Sequence, residues 1–308
     1  MHNVVLLAAP DSALAQALAV RNLPDIHLQV YAPAAVPEEV LAEAEVIVGA
    51  PDHIVPLVRG AQRLRWVQST WAGVTPLLQN GEPPYQLTAL KAVFGDVMSE
   101  YVLGWLLALE RRVLVHSRSK RWLTGRESSV RGKRMGIMGT GSIGTVVAQR
   151  ANAFGIECVG LNRDGRTVPG FERCYATSDR LSFATGLDYL VGLMPHTPDT
   201  DALVDAVLLA QLAPTAIFIN AGRANAVSHG DLVSALEDGR LRAAVLDVLP
   251  DEPLSSSDPL WSVENLHITS HTAAPTADAM IVDVFADNYQ RYVSGQPLAH
   301  LVDFARGY

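Results

Sequence analysis

Short runs rich in β-branched residues alternate with amphipathic stretches along almost the whole chain. That alternation is the pattern of parallel α/β layers, because each parallel strand needs a helical crossover before the next. Strands are expected near 4–8, 27–31, 46–49 and 65–68, then at 134–138, 157–161, 188–193, 216–220, 243–246 and 267–269. A long apolar segment at 98–115 carries Tyr101, Trp105, Ala108, Leu109 and Arg112 at helical spacing. It reads as one helix leading from a first domain into a second. The stretch 280–294 also reads as a helix, and packing it back on the first domain makes that domain discontinuous. The expected division is 1–100 plus 285–308 against 101–284, and 308 residues suit two domains.

Charge and cysteine usage narrow the function classes. The 24 basic residues against 32 acidic ones give a net charge of −8, with no dense basic patch evident. Nucleic acid and an anionic membrane surface are therefore not expected as partners. The longest apolar run, 102–109, is far short of the roughly 20 residues that a membrane span needs. Residues 1–9 read as a first strand and not as a leader. Cys158 and Cys174 form neither a disulfide framework nor a metal spacing, so no metal is expected and the reducing cytoplasm is the expected location.

The most informative motif is Gly139-Thr140-Gly141-Ser142-Ile143-Gly144. A strand ends just before it and a helix opens near Ser142. In that context Gly139 permits the turn, Gly141 lets the backbone approach a pyrophosphate, and Gly144 lets helix and strand pack closely. The pyrophosphate then meets the free N–H groups of the helix N-terminus. About 20 residues on, an NAD site carries an acid for the ribose 2′-hydroxyl, but Asn162 stands there, followed by Arg163, Asp164, Gly165 and Arg166. Two guanidiniums suit a 2′-phosphate, so NADP(H) is expected over NAD(H), with NAD(H) possible as well. The alternative is a solvated loop in which Asp164 pairs with an arginine or reaches the ribose itself.

Three further segments place a polar group directly after a hydrophobic strand, where open α/β sheets bind ligands. They are Asn220-Ala221-Gly222-Arg223-Ala224, Asp247-Val248-Leu249-Pro250-Asp251-Glu252 and Thr269-Ser270-His271-Thr272. An arginine, an acid and a histidine converging there suit carbonyl reduction. The guanidinium binds a substrate carboxylate, the imidazolium gives a proton to the carbonyl oxygen, and the acid orients the imidazole. The other histidines have no acid at a telling spacing, except that His196 follows a strand at the cofactor edge. Asp199 and Asp201 are expected to cap the helix that follows.

With these motifs in order, the sequence resembles the D-isomer-specific 2-hydroxyacid dehydrogenases. Further points of likeness are Met194-Pro195-His196-Thr197-Pro198-Asp199-Thr200, residues 231–246, and Asp258-Pro259-Leu260-Trp261. The resemblance implies two Rossmann-like or flavodoxin-like doubly wound parallel-sheet domains, with the active site in the cleft between them. Residues 1–100 plus 285–308 would be the substrate domain and 101–284 the NAD(P)-binding domain. It puts the catalytic roles on Arg223, Glu252 and His271, and the nicotinamide-side aspartate on Asp247. Cofactor contacts fall on residues 139–144, Asn162, Arg163, Arg166, Pro195, His196, Thr200, Ala221, Gly222 and Arg223. Ser69-Thr70-Trp71-Ala72-Gly73-Val74 resembles the loop whose N–H groups hold the substrate carboxylate, giving Ala72 and Gly73, with Trp71 as a pocket wall or interface filler. Arg223 and His271 also touch substrate in this scheme.

The implied activity is reduction of a small 2-oxo acid, of the glyoxylate or hydroxypyruvate class, to the D-2-hydroxy acid by a homodimer. Three positions depart from the family pattern: Ala224 follows the arginine, Ser270 precedes the histidine, and Thr75 follows Ala-Gly-Val. Two rival readings are a dinucleotide-sensing binding protein without turnover and a formate dehydrogenase-like enzyme. The first needs a protein-docking surface that the sequence does not display, and residues 162–166 argue against the second.

Overall fold

The computed structural model describes residues 1–79, 81–125 and 127–304. The chain divides into two compact units, Met1–Val93 with Thr276–Tyr308, and Phe94–Pro275. Residues 305–308, assigned above to the first domain, lie outside the described residues. The divisions fall just before the helices Gly95–Glu110 and Asp278–Val293, so each helix stays whole within one unit. Cutting at 100 and 285 would split both helices between cores.

The first unit holds β1 (His2–Leu7), β2 (Ile26–Tyr31), β3 (Val46–Gly49), β4 (Trp66–Ser69) and β5 (Gln86–Thr88). They form one parallel sheet in the order β2-β1-β3-β4-β5. β3 and β4 are buried along their whole lengths, as sheets covered on both faces require. The helix Asp278–Val293 turns Phe285 and Tyr289 inward, and Phe285 stacks on Trp66 at 5.4 Å between ring centres. That helix supplies one layer of the first unit's core.

The second unit holds β6 (Arg134–Met138), β7 (Glu157–Asn162), β8 (Arg173–Ala176), β9 (Tyr189–Gly192), β10 (Ile217–Asn220), β11 (Ala243–Leu246) and β12 (Leu266–Ile268). Their order, β12-β11-β10-β9-β6-β7-β8, is again parallel throughout. The chain runs outward through β7 and β8 on one side of β6 and through β9 to β12 on the other. The crevice for a ligand therefore opens at the carboxyl ends of β6 and β9, where the direction of winding reverses.

Three sequence expectations need correction. The segment 98–115 is not one helix: Gly95–Glu110 ends, Arg112 takes a left-handed conformation (φ 50°, ψ 34°), and a short helix Val113–Arg118 follows. A left-handed residue cannot continue the i→i−4 ladder, and Val113 and Val115 end up exposed. The strands β5 and β8 lie at the two sheet edges and were not anticipated. Basic residues are also less dispersed than the net charge implies. Nine of the 24 fall within 111–134 beside one acid, Glu127, and Arg111, Arg112, Arg118, Lys120, Arg121 and Arg131 are exposed. Among the described residues no helix is long and apolar enough to cross a membrane, and no group of residues could hold a metal ion.

Candidate active site

The glycine turn has the geometry its spacing predicts. Gly139 sits at φ +105°, and a Cβ there would lie 2.9 Å from Leu193 O. A Cβ on Gly144 would lie 2.0 Å from Gly139 O, so only glycine allows the helix to start this close to β6. Gly141 is the opposite case, because its Cβ direction meets open space. It precedes the helix Ser142–Ala153, whose first turn has no side-chain cap, so its leading N–H groups stay available to an anion.

Asn162 closes the turn from β7. Its amide donates to Thr140 Oγ1 at 3.0 Å and to Arg166 O at 2.9 Å, while its Oδ1 is buried without a hydrogen-bond partner. An uncapped helix start, open space at Gly141 and an unsatisfied acceptor beside them fit the pyrophosphate and ribose hydroxyls of a dinucleotide. Arg163 and Arg166 are exposed, and neither forms an ion pair among the described residues. Asp164 accepts the Arg166 backbone N–H at 3.4 Å and no guanidinium, so the alternative of an Asp164–arginine pair is not realised.

On the other side of the crevice, Thr200 anchors residues 195–201. Its hydroxyl lies within bonding distance of Pro195 O (2.9 Å) and Thr197 O (2.8 Å), and accepts from Thr197 N–H (3.0 Å) and Asn225 Nδ2 (3.1 Å). Thr197 and Thr200 cap the short turn Pro198–Thr200 reciprocally. Asp199 and Asp201 do not cap the next helix, Ala206–Leu209. Asp205 does so through Leu208 N–H, while Asp201 accepts Asn225 Nδ2 at 2.6 Å and lies 3.8 Å from the exposed His196 ring.

The three catalytic candidates follow three adjacent strands. Arg223 lies just after β10, in a turn gripped by Asn220, whose Nδ2 donates to Arg223 O and whose Oδ1 accepts Gly222 N–H. A Cβ on Gly222 would strike Met194 N at 2.7 Å, and Ala221 beside it is buried. Arg223 Nη1 donates to Gly222 O at 2.8 Å. Burial pulls its guanidinium below the ordinary arginine value and the nearby Glu252 charge opposes this, so it stays a cation. Glu252, in the loop after β11, places Oε2 2.8 Å from His271 Nδ1 and uses Oε1 to accept Leu249 N–H at 2.9 Å. The Nδ1 position is thus occupied by the acid, and Nε2 makes no hydrogen bond among the described residues. Both side chains reach solvent.

Asp247 is 2% exposed and binds the His271 loop, with Oδ1 accepting Thr272 N–H and Oδ2 accepting Ala273 N–H. Asn220, Thr269 and Tyr101 complete this framework, Asn225 braces Thr200 and Asp201, and all four were missed as site residues. Asn220 carried a legible signal, an Asn at a strand end before a turn, which readily bonds the backbone two residues on. Tyr101 and Thr269 are 168 positions apart, and no sequence pattern pairs them.

In the first unit, residues 69–74 follow β4. Ser69 Oγ closes on both Trp71 N (3.0 Å) and Trp71 O (2.9 Å). The N–H groups of Ala72 and Gly73 make no hydrogen bond among the described residues, and Trp71 is 45% exposed. Beneath the loop Gln68, Thr88 and Asn288 are wholly buried, and Gln68 Oε1 accepts from both partners. Gln68 Nε2 in turn donates to Ser69 O.

The family model of the D-isomer specific 2-hydroxyacid dehydrogenase NAD-binding domain matches residues 103–273. A glyoxylate/hydroxypyruvate reductase A of Serratia proteamaculans (strain 568) is 32% identical over 85% of this chain and 87% of its own length. A D-isomer specific 2-hydroxyacid dehydrogenase family protein from Aeromonas salmonicida has a similar structure, with TM-score 0.91 and 34% identity over 98% of this chain and 99% of the other. An NADPH-dependent glyoxylate/hydroxypyruvate reductase from Sinorhizobium meliloti, solved with NADP and sulfate, gives 0.84 and 28% over the full length of both. The chain belongs to the D-isomer specific 2-hydroxyacid dehydrogenase family and is an NAD(P)-dependent oxidoreductase of that kind.

Proposed function

We propose that this protein reduces a small 2-oxo acid, of the glyoxylate or hydroxypyruvate class, to its D-2-hydroxy acid with NADPH in preference to NADH. The observation that carries the reading is the 2.8 Å Glu252–His271 contact after adjacent strands, with Arg223 close enough to feel the Glu252 charge. When bound, the nicotinamide supplies a hydride to the carbonyl carbon. His271, held at Nδ1 by Glu252, gives its Nε2 proton to the carbonyl oxygen as negative charge develops there. Arg223 binds the substrate carboxylate and faces that same oxygen, which makes it both a binding and a transition-state group. In the first unit the N–H groups of Ala72 and Gly73, which make no hydrogen bond among the described residues, are the proposed substrate contacts. Asp247 stands on the nicotinamide side, and Pro195, His196, Thr200, Ala221 and Gly222 border the cofactor.

The NADPH preference rests on Asn162 in place of a ribose carboxylate and on the guanidiniums of Arg163 and Arg166, which form no ion pair among the described residues. The NADP-bound relative from Sinorhizobium meliloti supports it. A cytoplasmic homodimer completes the proposal. Both cysteines are free. Trp122, at 95% exposure, and Val113, at 50%, lie in the same basic stretch, 111–134, of an otherwise acidic chain. The test is a panel of 2-oxo acids assayed with NADH and NADPH. Turnover of glyoxylate or hydroxypyruvate with NADPH is expected, and no turnover of any 2-oxo acid with either cofactor refutes the reading.

A further inference from the structure

His271 sits in the left-handed region, at φ +55°, a conformation that costs free energy for any residue with a Cβ. It persists because its own N–H and its flanks are all bound by one buried aspartate, through the backbone carbonyl and the carboxylate. Asp247 O accepts His271 N–H at 2.8 Å, and Asp247 Oδ1 accepts Thr272 N–H at 2.8 Å. Oδ2 accepts Ala273 N–H at 2.9 Å, and Thr269 Oγ1 reaches Oδ1 at 2.5 Å from the other side of the histidine. An ionised carboxylate only accepts, so Thr269 spends its hydroxyl proton on Asp247. The Tyr101 hydroxyl, 2.6 Å from Thr269 Oγ1, must then be the donor in that contact. Burial pushes the Tyr101 phenol up to about 12, so its proton stays in place across the working pH range.

We infer that Tyr101 and Thr269 are positioning residues for the His271 acid, acting through Asp247 to hold the histidine in its left-handed conformation. Neither touches substrate or cofactor in this scheme, and the inference rests on the reading of His271 as proton donor. The order of action is one-way. Tyr101 fixes the Thr269 rotamer, Thr269 fixes the Asp247 carboxylate, and Asp247 fixes the loop.

The test compares Tyr101→Phe, Thr269→Val, Thr269→Ser and the Tyr101→Phe/Thr269→Val double variant with the wild type. Thr269→Val keeps the shape and loses the donor. It should lower kcat for a 2-oxo acid by about tenfold, with KM and the NADPH Kd within about twofold. Thr269→Ser, which keeps the hydroxyl, should restore kcat. Tyr101→Phe should cost a smaller factor that disappears in the Thr269→Val background, because its route is already cut. Multiplicative losses in the double variant, or an NADPH Kd that rises in step with the kcat loss, would overturn the inference. So would an unchanged kcat in Thr269→Val. Should that variant fail to fold, Tyr101→Phe and Thr269→Ser still give opposite expected outcomes. A readout independent of turnover is the His271 imidazole NMR signal, assigned with His271→Gln. It should shift or broaden in Tyr101→Phe and stay put in Thr269→Ser. An unmoved signal in Tyr101→Phe refutes the positioning role, whereas a moved signal in a protein that reduces no 2-oxo acid refutes only the functional reading beneath it.

Discussion

Glu252→Gln separates charge from shape at the catalytic pair. The carboxylate serves two donors at once, His271 Nδ1–H through Oε2 at 2.8 Å and Leu249 N–H through Oε1 at 2.9 Å. A glutamine amide has one acceptor and one donor end, so it can satisfy one of these N–H groups and must turn its own NH2 toward the other. The variant therefore loses a charge-assisted hydrogen bond as well as the countercharge of the imidazolium. Such bonds contribute roughly 1.5–3 kcal/mol. Both side chains are more than a third exposed, which screens the pair and points to the lower end, about 1.5–2 kcal/mol. That corresponds to a loss of about 10- to 30-fold in kcat. Glu252 does not bind substrate in the proposed scheme, so KM for the oxo acid should stay within about twofold. The assay is steady-state reduction with NADPH across pH 5–9. A Gln variant within about threefold of wild-type kcat would refute the argument.

Three further outcomes are expected. Changing Arg163 and Arg166 together to Ala should weaken NADPH by about tenfold or more and leave NADH little affected, because the proposed 2′-phosphate contacts are removed. Equal losses in fluorescence titrations with the two cofactors would contradict the 2′-phosphate assignment. Arg223→Lys should cost on the order of 100-fold in kcat/KM, with KM up and kcat down together, since an ammonium lacks the planar fork; a fall in kcat alone would show that Arg223 does not bind the carboxylate. Burial holds His267 below the ordinary histidine value, so the unfolded chain takes up its proton first. Its contribution to stability is full above about pH 6.5 and is lost as pH falls. His267→Phe, which keeps a ring against Trp105, should flatten the drop in Tm between pH 7.5 and 5.5, and parallel Tm curves would refute this.

Much of this protein was legible because its strands are buried on both faces. Runs such as Val46-Ile47-Val48 and Ile217-Phe218-Ile219 announce themselves without knowledge of their neighbours. The glycine turn was equally local, since Gly139, Gly141 and Gly144 answer to clashes and open space within a few residues of β6. What sequence could not supply was anything held by partners from afar. β5 and β8 are edge strands of three and four residues, each held by one ladder and by a bridge to residues far away or outside any strand, Leu301 for β5 and Asp164 for β8, so a window of their own sequence carries little β signal. The break at Arg112 follows no Gly or Pro, and the residue is left-handed for reasons outside its own sequence window. The grip of Tyr101 and Thr269 on Asp247, and of Asp247 on the left-handed His271, exists only because parallel winding brings the ends of β11 and β12 side by side, with the Tyr101 helix packed against them. Residue type selects what can donate and accept, and propensity acts over a handful of neighbours. Direction, distance and burial of a hydrogen bond between residues 168 positions apart are set only when the sheet closes around them.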